Sequence, residues 1–238
     1  IQKLEADYSA VFIGIGLGAT SDIGLPGQDK ANCFGATEFI EELRMNHHQT
    51  KVGEKVIVLG GGNTAMDAAS ESARMGASKV ILAYRRAKDE MGAYEFEYDL
   101  AKAVGVEGMF NVSPKEITGN GSVTGVTFVK TEVVDGKLKT VAGSEFTEEC
   151  DMVIRATGQQ KQVTFLQQID NLNLDSKGRI EVNNQFQTSN PKYFAAGDAV
   201  NGGKEVVNAA ADGKQAARGI HRFIPVSYTH LRAHETSN

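Results

Sequence analysis

A chain of 238 residues, with 41% hydrophobic and 23% charged residues, has the composition of a globular protein of one large domain or two small ones. Its net charge of −5 offers no footprint for nucleic acid or an anionic membrane surface, and no apolar stretch approaches the roughly eighteen residues needed to span a bilayer. The two cysteines, Cys33 and Cys150, lie far apart and make neither a redox pair nor a metal-ligand set. Both read as small buried hydrophobes, and a cytoplasmic setting is expected.

The chain begins without methionine and soon enters an apolar strand at residues 10–15. A domain rarely opens so abruptly on a core strand, so residue 1 is expected to be a cut through a longer protein. Gly24-Leu25-Pro26-Gly27 is a turn cluster, and residues 36–45 carry helical spacing through Phe39, Ile40 and Leu43. His47-His48 has no acidic or cysteine partner at ligand spacing and reads as a solvated loop.

The rest of the chain is organised around residues 55–69. Residues 55–59 form a short apolar run of the kind that makes a buried parallel strand. It ends in Gly60-x-Gly62-x-x-Ala65, with helix-forming sequence after it and a second strand at residues 79–84. In a dinucleotide-binding turn Gly60 permits the sharp exit from the strand. Gly62 lets backbone approach a pyrophosphate, and Ala65 keeps the helix close to the sheet. The helix N-terminus then faces the phosphates. A strand–turn–helix unit without a ligand is the competing reading. The helix is expected to run to about Met75, with Gly76 closing it.

The second strand delivers Tyr84-Arg85-Arg86 where an NAD fingerprint carries an acidic residue for the ribose 2′-hydroxyl. Two guanidinium groups suit a 2′-phosphate; a solvated basic loop is the alternative. Residues 95–104 resume a helix, with Phe96, Leu100 and Val104 four apart. Residues 112–117 and 123–134 read as strands joined by Gly119-Asn120-Gly121, and residues 133–140 turn at Asp135-Gly136. This antiparallel insert is expected to be a ribbon on the nucleotide domain. Another apolar strand, residues 150–156, ends in Ala156-Thr157-Gly158, small enough for a ligand to approach its backbone.

Short strands are expected at residues 179–182 and 193–196, the second delivering Gly197-Asp198 at its carboxyl end. Gly202-Gly203 and a helix from about Glu205 to His221 follow. Asp198 is either a ligand group or a helix N-cap. From about residue 226 the sequence has no period, and residues 226–238 read as a non-native tail.

Taken together, residues 58–67, Tyr84-Arg85-Arg86 with Glu90-Met91, Gly143-Ser-Glu-Phe-Thr147, Ala156-Thr-Gly-Gln159, Gln187-Thr-Ser189 and Phe194-Ala-Ala-Gly-Asp198 carry a resemblance. The chain resembles the FAD/NAD(P)-dependent pyridine nucleotide oxidoreductases that form the electron-input unit of dihydropyrimidine dehydrogenase and the small subunit of glutamate synthase. The run from Met91 to Tyr98 is the more similar to the bacterial dihydropyrimidine dehydrogenase subunit. The resemblance implies a Rossmann-like, doubly wound α/β fold, with an NAD(P)-binding domain inserted into an incomplete FAD-binding domain. Residues 1–25 would close the first part of the FAD domain, 26–158 would bind NAD(P), and 159–225 would complete the FAD domain.

The resemblance also implies roles. Gly60, Gly61, Gly62, Asn63 and Thr64 would hold the NAD(P) phosphates, and Arg85 and Arg86 the adenosine ribose end. Ala156, Thr157 and Gly158 would lie by the nicotinamide. Gly197 and Asp198 would take the FAD ribityl chain, and Glu205 and Val206 the flavin ring. Hydride transfer between the cofactors needs positioning and no protein acid or base, so no catalytic residue and no metal ligand is expected. The arginine pair favours NADP, while Gly92, where some relatives have a further basic residue, leaves NAD open. The family's FAD pyrophosphate turn and iron–sulfur cysteines are missing, so the chain by itself is expected to be inactive. The parent enzyme would relay electrons to a partner subunit, of dihydropyrimidine dehydrogenase or alternatively of glutamate synthase. The rival from another class is a non-catalytic NAD(P)-binding module.

Overall fold

The computed structural model describes residues 1–46 and 49–224; His47-His48 and the tail from residue 226 lie outside the described residues. Numbered along the chain, the strands are β1 (Val11–Ile13), β2 (Cys33–Gly35), β3 (Lys55–Leu59), β4 (Lys79–Tyr84), β5 (Val106–Phe110), β6 (Val112–Thr118), β7 (Gly125–Val134), β8 (Lys137–Thr140), β9 (Phe146–Glu149), β10 (Met152–Arg155) and β11 (Tyr193–Ala195). The helices are α1 (Gln2–Asp7), α2 (Ala36–Met45), α3 (Asn63–Arg74), α4 (Glu95–Ala103), α5 (Val163–Leu166), α6 (Asp198–Asn201) and α7 (Val206–Phe223). The chain divides into two units: residues 19–160 form an inserted unit, and residues 1–18 with those from 161 onward form a flanking one.

The inserted unit is built on a parallel sheet in the order β2-β10-β3-β4-β5. Its apolar runs have no polar face because both faces are covered. Val56 and Val58 of β3, Val80 and Leu82 of β4, and Ile154 of β10 point to one side, where they meet Phe39 of α2, Met66 and Ala69 of α3 and Tyr98 of α4. Ile57, Leu59, Ile81, Ala83 and Val153 point to the other, where the antiparallel ribbon β6-β7-β8, with β9 beside β7, packs Ile117, Val126 and Phe128 against them. The ribbon therefore covers the face that helices leave open. Its Asp135-Gly136 turn has both residues at positive φ, 54° and 71°, the backbone twist that suits a two-residue hairpin.

Helix α3 lies close to the sheet because Ala65, Ala68 and Ala69 are fully buried against it. It ends as expected, with Gly76 at φ 102° just past the Met75 cap. Helix α4 forms, but its buried residues are Tyr98 and Ala101, while Phe96 and Leu100 stay 58% and 53% exposed. The physical reason is the Tyr98 ring, which docks edge-on against Phe110 at 5.9 Å and turns the Phe96–Leu100 stripe outward. Cys150 falls between β9 and β10 rather than in a strand. It is buried in the ribbon-side core, while Cys33, also expected to be buried, is half-buried at the edge of that core because β2 is an edge strand of the sheet; burial pushes the Cys150 thiol up to about 12.

In the flanking unit β1 pairs in parallel with β11, Val11 opposite Tyr193, over a core of Ile13, Leu166, Ile169, Ile180 and Ala195. The Tyr193 hydroxyl donates to Glu5 Oε1 of α1 at 2.7 Å, and α7 lies along β11, where the Phe194 and Phe223 rings meet at 5.7 Å. No helix among the described residues is long and apolar enough to cross a membrane.

The strand expected at residues 179–182 is replaced by one bridge, Leu174 to Ile180. Asp175 organises this turn instead, because its carboxylate accepts the Lys177 and Arg179 N–H groups and the Arg179 guanidinium. The Arg179 N–H, then its guanidinium, hold the Asp175 carboxyl at about 2, below its usual 3.8. Because the folded value lies below the unfolded one, the contribution is complete above about pH 4 and is lost as the pH falls toward 2. Asp175→Asn is therefore expected to narrow its stability gap to the unmodified protein as acid is added. Denaturant midpoints at several pH values below 5 check this; a gap independent of pH contradicts it.

Candidate functional site

The three glycines after β3 do different work. Gly60 lies against β10, its N–H donating to Ala83 O at 3.0 Å, and a Cβ on it would come within 2.4 Å of Ala156 O. A Cβ on Gly61 would meet the Tyr84 ring at 2.5 Å. Both are glycine because protein fills the space. A Cβ on Gly62 would meet nothing within 4 Å, and its backbone is extended, at φ −104° and ψ 176°, which any residue adopts. Gly62 is also the N-cap of α3, which has no side-chain cap hydrogen bond. The Ala65 and Met66 N–H groups both donate to Gly62 O, at 2.9 and 3.2 Å, which fixes the start of the helix behind the space beside Gly62. The Thr64 side chain is exposed. Asn63 Oδ1 accepts the Tyr94 N–H at 3.1 Å and Gly61 O accepts the Ala93 N–H at 3.0 Å, so residues 91–94 are tied down beside the turn.

The arginine pair at the end of β4 is split. Arg85 is exposed and its guanidinium has no ion-pair partner among the described residues, whereas Arg86 Nη1 lies 3.3 Å from Glu90 Oε1. Both main chains are fixed, since Arg85 O accepts the Thr131 hydroxyl and Arg86 O the Asn111 N–H.

Gly60, Gly61, Tyr84, Arg85, Ala156 and Thr157 line one crevice of about 570 Å³ at the carboxyl ends of the strands. Open parallel sheets bind ligands at that end, where the chain leaves successive strands in opposite directions. The Thr157 hydroxyl oxygen is buried in this wall and meets no partner among the described residues, an orphan that a ligand polar group would satisfy. Gly158, at φ 99°, turns the chain out of the crevice, its carbonyl accepting the Ser21 N–H. Lys115 of β6 also lines the crevice and pairs with Glu145 at 3.1 Å. Sequence reasoning missed it, because a lysine on a ribbon strand carries no local signal of what the ribbon will cover. A second cleft of about 660 Å³ lies over Phe34, Phe39 and Met152. Its Gly53 and Asp151 precede β3 and β10, so it opens at the amino ends of the strands, the end that such folds do not use for nucleotides.

The remaining candidates fall in the flanking unit. Gly197 has φ 70° and ψ −150°, a region open almost only to glycine. Asp198 is not a helix N-cap: Gly197 holds that position, and Asp198 Oδ1 accepts the Lys204 N–H at 3.2 Å, closing the turn through Gly202-Gly203. Glu205 caps α7 with its backbone, no side chain caps that helix, and Val206 and Val207 of its first turn are 80% and 69% exposed. The start of this helix therefore carries an exposed apolar surface. Among the described residues there is no group of three or more His, Cys, Asp or Glu able to hold a metal.

Comparison with known proteins places these features in context. The profile of the pyridine nucleotide-disulphide oxidoreductases matches residues 2–213. The glutamate synthase [NADPH] small chain of Escherichia coli (strain K12) is 39% identical over 248 residues, covering 95% of this chain and 52% of that protein. The NADP(+)-dependent formate dehydrogenase subunit beta of Moorella thermoacetica is 35% identical, covering 94% of this chain and 33% of that one. The chain thus spans about half, or less, of the length of these relatives. Among solved structures, the thioredoxin reductase of T. acidophilum superposes with a TM-score of 0.72 over 90% of this chain and 65% of that one, at 24% identity, which speaks for the Rossmann-like α/β fold alone.

Proposed function

The chain belongs to the pyridine nucleotide-disulphide oxidoreductase family, and from that premise we propose that its inserted unit binds NAD(P)H and its flanking unit contributes to an FAD site. The whole would be an electron-input module serving a partner subunit. The observation that carries this reading is the space in front of Gly62, the one glycine of the turn whose missing side chain no protein atom replaces. Gly60 and Gly61 shape the turn, and the backbone of Gly62, Asn63 and Thr64 receives the pyrophosphate. Arg85 and Arg86 take the ribose end. Ala156, Thr157 and Gly158 line the path toward the nicotinamide, the orphan Thr157 hydroxyl supplying a polar contact. In the flanking unit Gly197 and Asp198 set the turn for the ribityl chain, and the Glu205–Val206 helix start receives the ring.

In this reading the inserted unit, residues 19–160, corresponds to the NAD(P)-binding domain expected at 26–158, and the flanking unit to the FAD-binding domain expected at 1–25 and 159–225. FAD, when bound, supplies a two-electron acceptor able to pass electrons onward. The chain's own part is orientation and exclusion of water, with no acid or base required. Thiol chemistry is not part of this reading: a cysteine must be a thiolate to act, and burial holds the Cys150 thiol up at about 12. The 39% identical relative supports a glutamate synthase type of partner, and the run from Met91 to Tyr98 supports a dihydropyrimidine dehydrogenase type.

Titrating NADPH and NADH into the full chain tests the reading, with fluorescence of the reduced nicotinamide as the signal. Each charge-assisted hydrogen bond to a 2′-phosphate contributes about 1.5–3 kcal/mol, and exposure and salt pull it toward the lower end. Arg85→Ala is expected to weaken NADPH roughly tenfold and leave NADH nearly unchanged. Arg86→Ala should do less, because Glu90 already engages that guanidinium. Equal loss for both nucleotides would remove the ribose-end assignment. Dye reduction by the chain supplied with FAD and NADPH separates an electron-transfer module from one that only holds nucleotide.

A further inference from the structure

We infer that Glu90 is a specificity-determining residue of the nucleotide site, opposing the arginines and holding the choice between a 2′-phosphate and a 2′-hydroxyl near balance. This rests on the nucleotide reading of the glycine turn. In the dinucleotide fingerprint a carboxylate at the end of the second strand accepts the ribose 2′-hydroxyl. By sequence that carboxylate is missing here, since β4 ends at Tyr84 and two arginines follow. In space it is restored. Residues 88–90 form a single 3-10 turn that folds Glu90 back on the strand end. The Tyr84 hydroxyl donates to Glu90 O at 2.9 Å, the Ala87 N–H donates to Glu90 Oε2 at 3.2 Å, and Arg86 Nη1 donates to Glu90 Oε1 at 3.3 Å.

The Glu90 carboxylate is thus clamped between the backbone and a guanidinium, four residues after the arginine it neutralises. The side chains of Glu90 and Arg86 remain 36% and 44% exposed, so a ligand can reach either. Lys88, the nearest other cation in sequence, has its ammonium over the Tyr98 ring at 5.3 Å. Among the described residues the strand end therefore presents one cation without an ion-pair partner, Arg85, beside a cation–anion pair. A 2′-phosphate gains from Arg85 and is repelled by Glu90. A 2′-hydroxyl can donate to Glu90 and gains little from either arginine. Two functional classes of cofactor are balanced by one carboxylate.

Replacing Glu90 should move the ratio of affinities rather than their common level. Glu90→Gln keeps the shape and removes the charge; it is expected to raise the NADPH-to-NADH affinity ratio of the full chain about tenfold, with the gain shrinking as salt rises from about 50 to 500 mM. Glu90→Asp keeps the charge and should leave the ratio close to that of the unmodified chain. Arg86→Ala should lower the ratio, and in the double variant Arg86→Ala with Glu90→Gln the two effects should fail to add, because the groups touch. Melting curves of each variant report folding separately. If Glu90→Gln weakens both nucleotides equally, or leaves the ratio unmoved while the unmodified chain binds both, Glu90 is a structural prop and the inference is overturned. Binding of neither nucleotide to the unmodified chain would overturn the nucleotide reading itself, and this inference with it.

Discussion

Gly62→Val is expected to reduce affinity for NADH and NADPH at least about a hundredfold while the protein melts within a few degrees of the unmodified chain. The two halves of this expectation have separate causes. The valine side chain would enter the space ahead of α3, where no protein atom lies within 4 Å of an added Cβ. In the proposed complex that space belongs to phosphate oxygens, so the first amides of the helix could not reach them. Two lost hydrogen bonds to charged oxygens, at about 1.5–3 kcal/mol each, amount to a hundredfold or more. Stability hardly changes because the Gly62 backbone is extended and accepts a branched residue. A poorer N-cap costs at most about 1 kcal/mol, which is roughly 2–4 °C for a protein of this size. The same change at Gly61 would strike the Tyr84 ring at 2.5 Å and should damage the fold. Nucleotide titration and a thermal melt on the two variants decide the matter. Unchanged affinity in a folded Gly62→Val protein would leave the turn without a ligand.

Two glycines of α7 should respond to alanine with opposite sign. At Gly213 an added Cβ meets nothing within 4 Å, so Gly213→Ala is expected to stabilise the protein by about 1 kcal/mol through helix propensity alone. At Gly219 the same atom would stand 2.1 Å from the backbone oxygen of Gln185 and 3.2 Å from the Phe194 ring. That carbonyl cannot step aside cheaply. Asn183 Oδ1 accepts the Gln185 and Gln187 N–H groups on either side, and Phe186 O accepts the Ala195 N–H of β11. Overpacking of this kind costs about 1–3 kcal/mol; the propensity gain of about 1 kcal/mol offsets part of it, leaving Gly219→Ala up to about 2 kcal/mol less stable. Because propensity is common to both sites, the difference between the two variants measures the close packing of α7 on the 183–187 turn. Denaturant midpoints give that difference directly, and equal responses would show that the helix does not sit against this turn.

Local patterns were legible wherever one element carries its own signal. The β3–glycine–α3–β4 unit, the 36–45 helix, the Gly76 stop and the Asp135-Gly136 hairpin all read correctly because strand runs, helix caps and turn residues act over a few positions. What the sequence misread and what it left open share a cause. Residues 179–182 look like a strand, yet the Arg179 N–H goes to the Asp175 side chain, and the Ile180 and Glu181 N–H groups go to Ala199 O and Asn173 O, so no ladder continues past one bridge. The Phe96–Leu100 spacing is helical, but which stripe is buried depends on Phe110 reaching Tyr98 from another element. Hydrophobic period fixes that a helix forms and not which neighbour it meets.

By itself the sequence determined the β3–α3–β4 unit, the glycine turn at the end of β3 and the pair of arginines at the end of β4, since each follows from residue type at fixed short spacing. Only the tertiary structure decided what those residues face. It made Gly60 and Gly61 packing glycines and Gly62 an open one, because Ala156 and Tyr84 arrive from other strands. It brought Thr157 and Lys115, far apart in the chain, into one crevice with Arg85. It also split a run of two arginines, neutralising Arg86 by folding Glu90 back on the strand end and leaving Arg85 without an ion-pair partner among the described residues. The physical reason is that charge and steric room are properties of a place, set by whichever groups the fold brings there, whereas turn and helix formation are settled within a few covalent bonds.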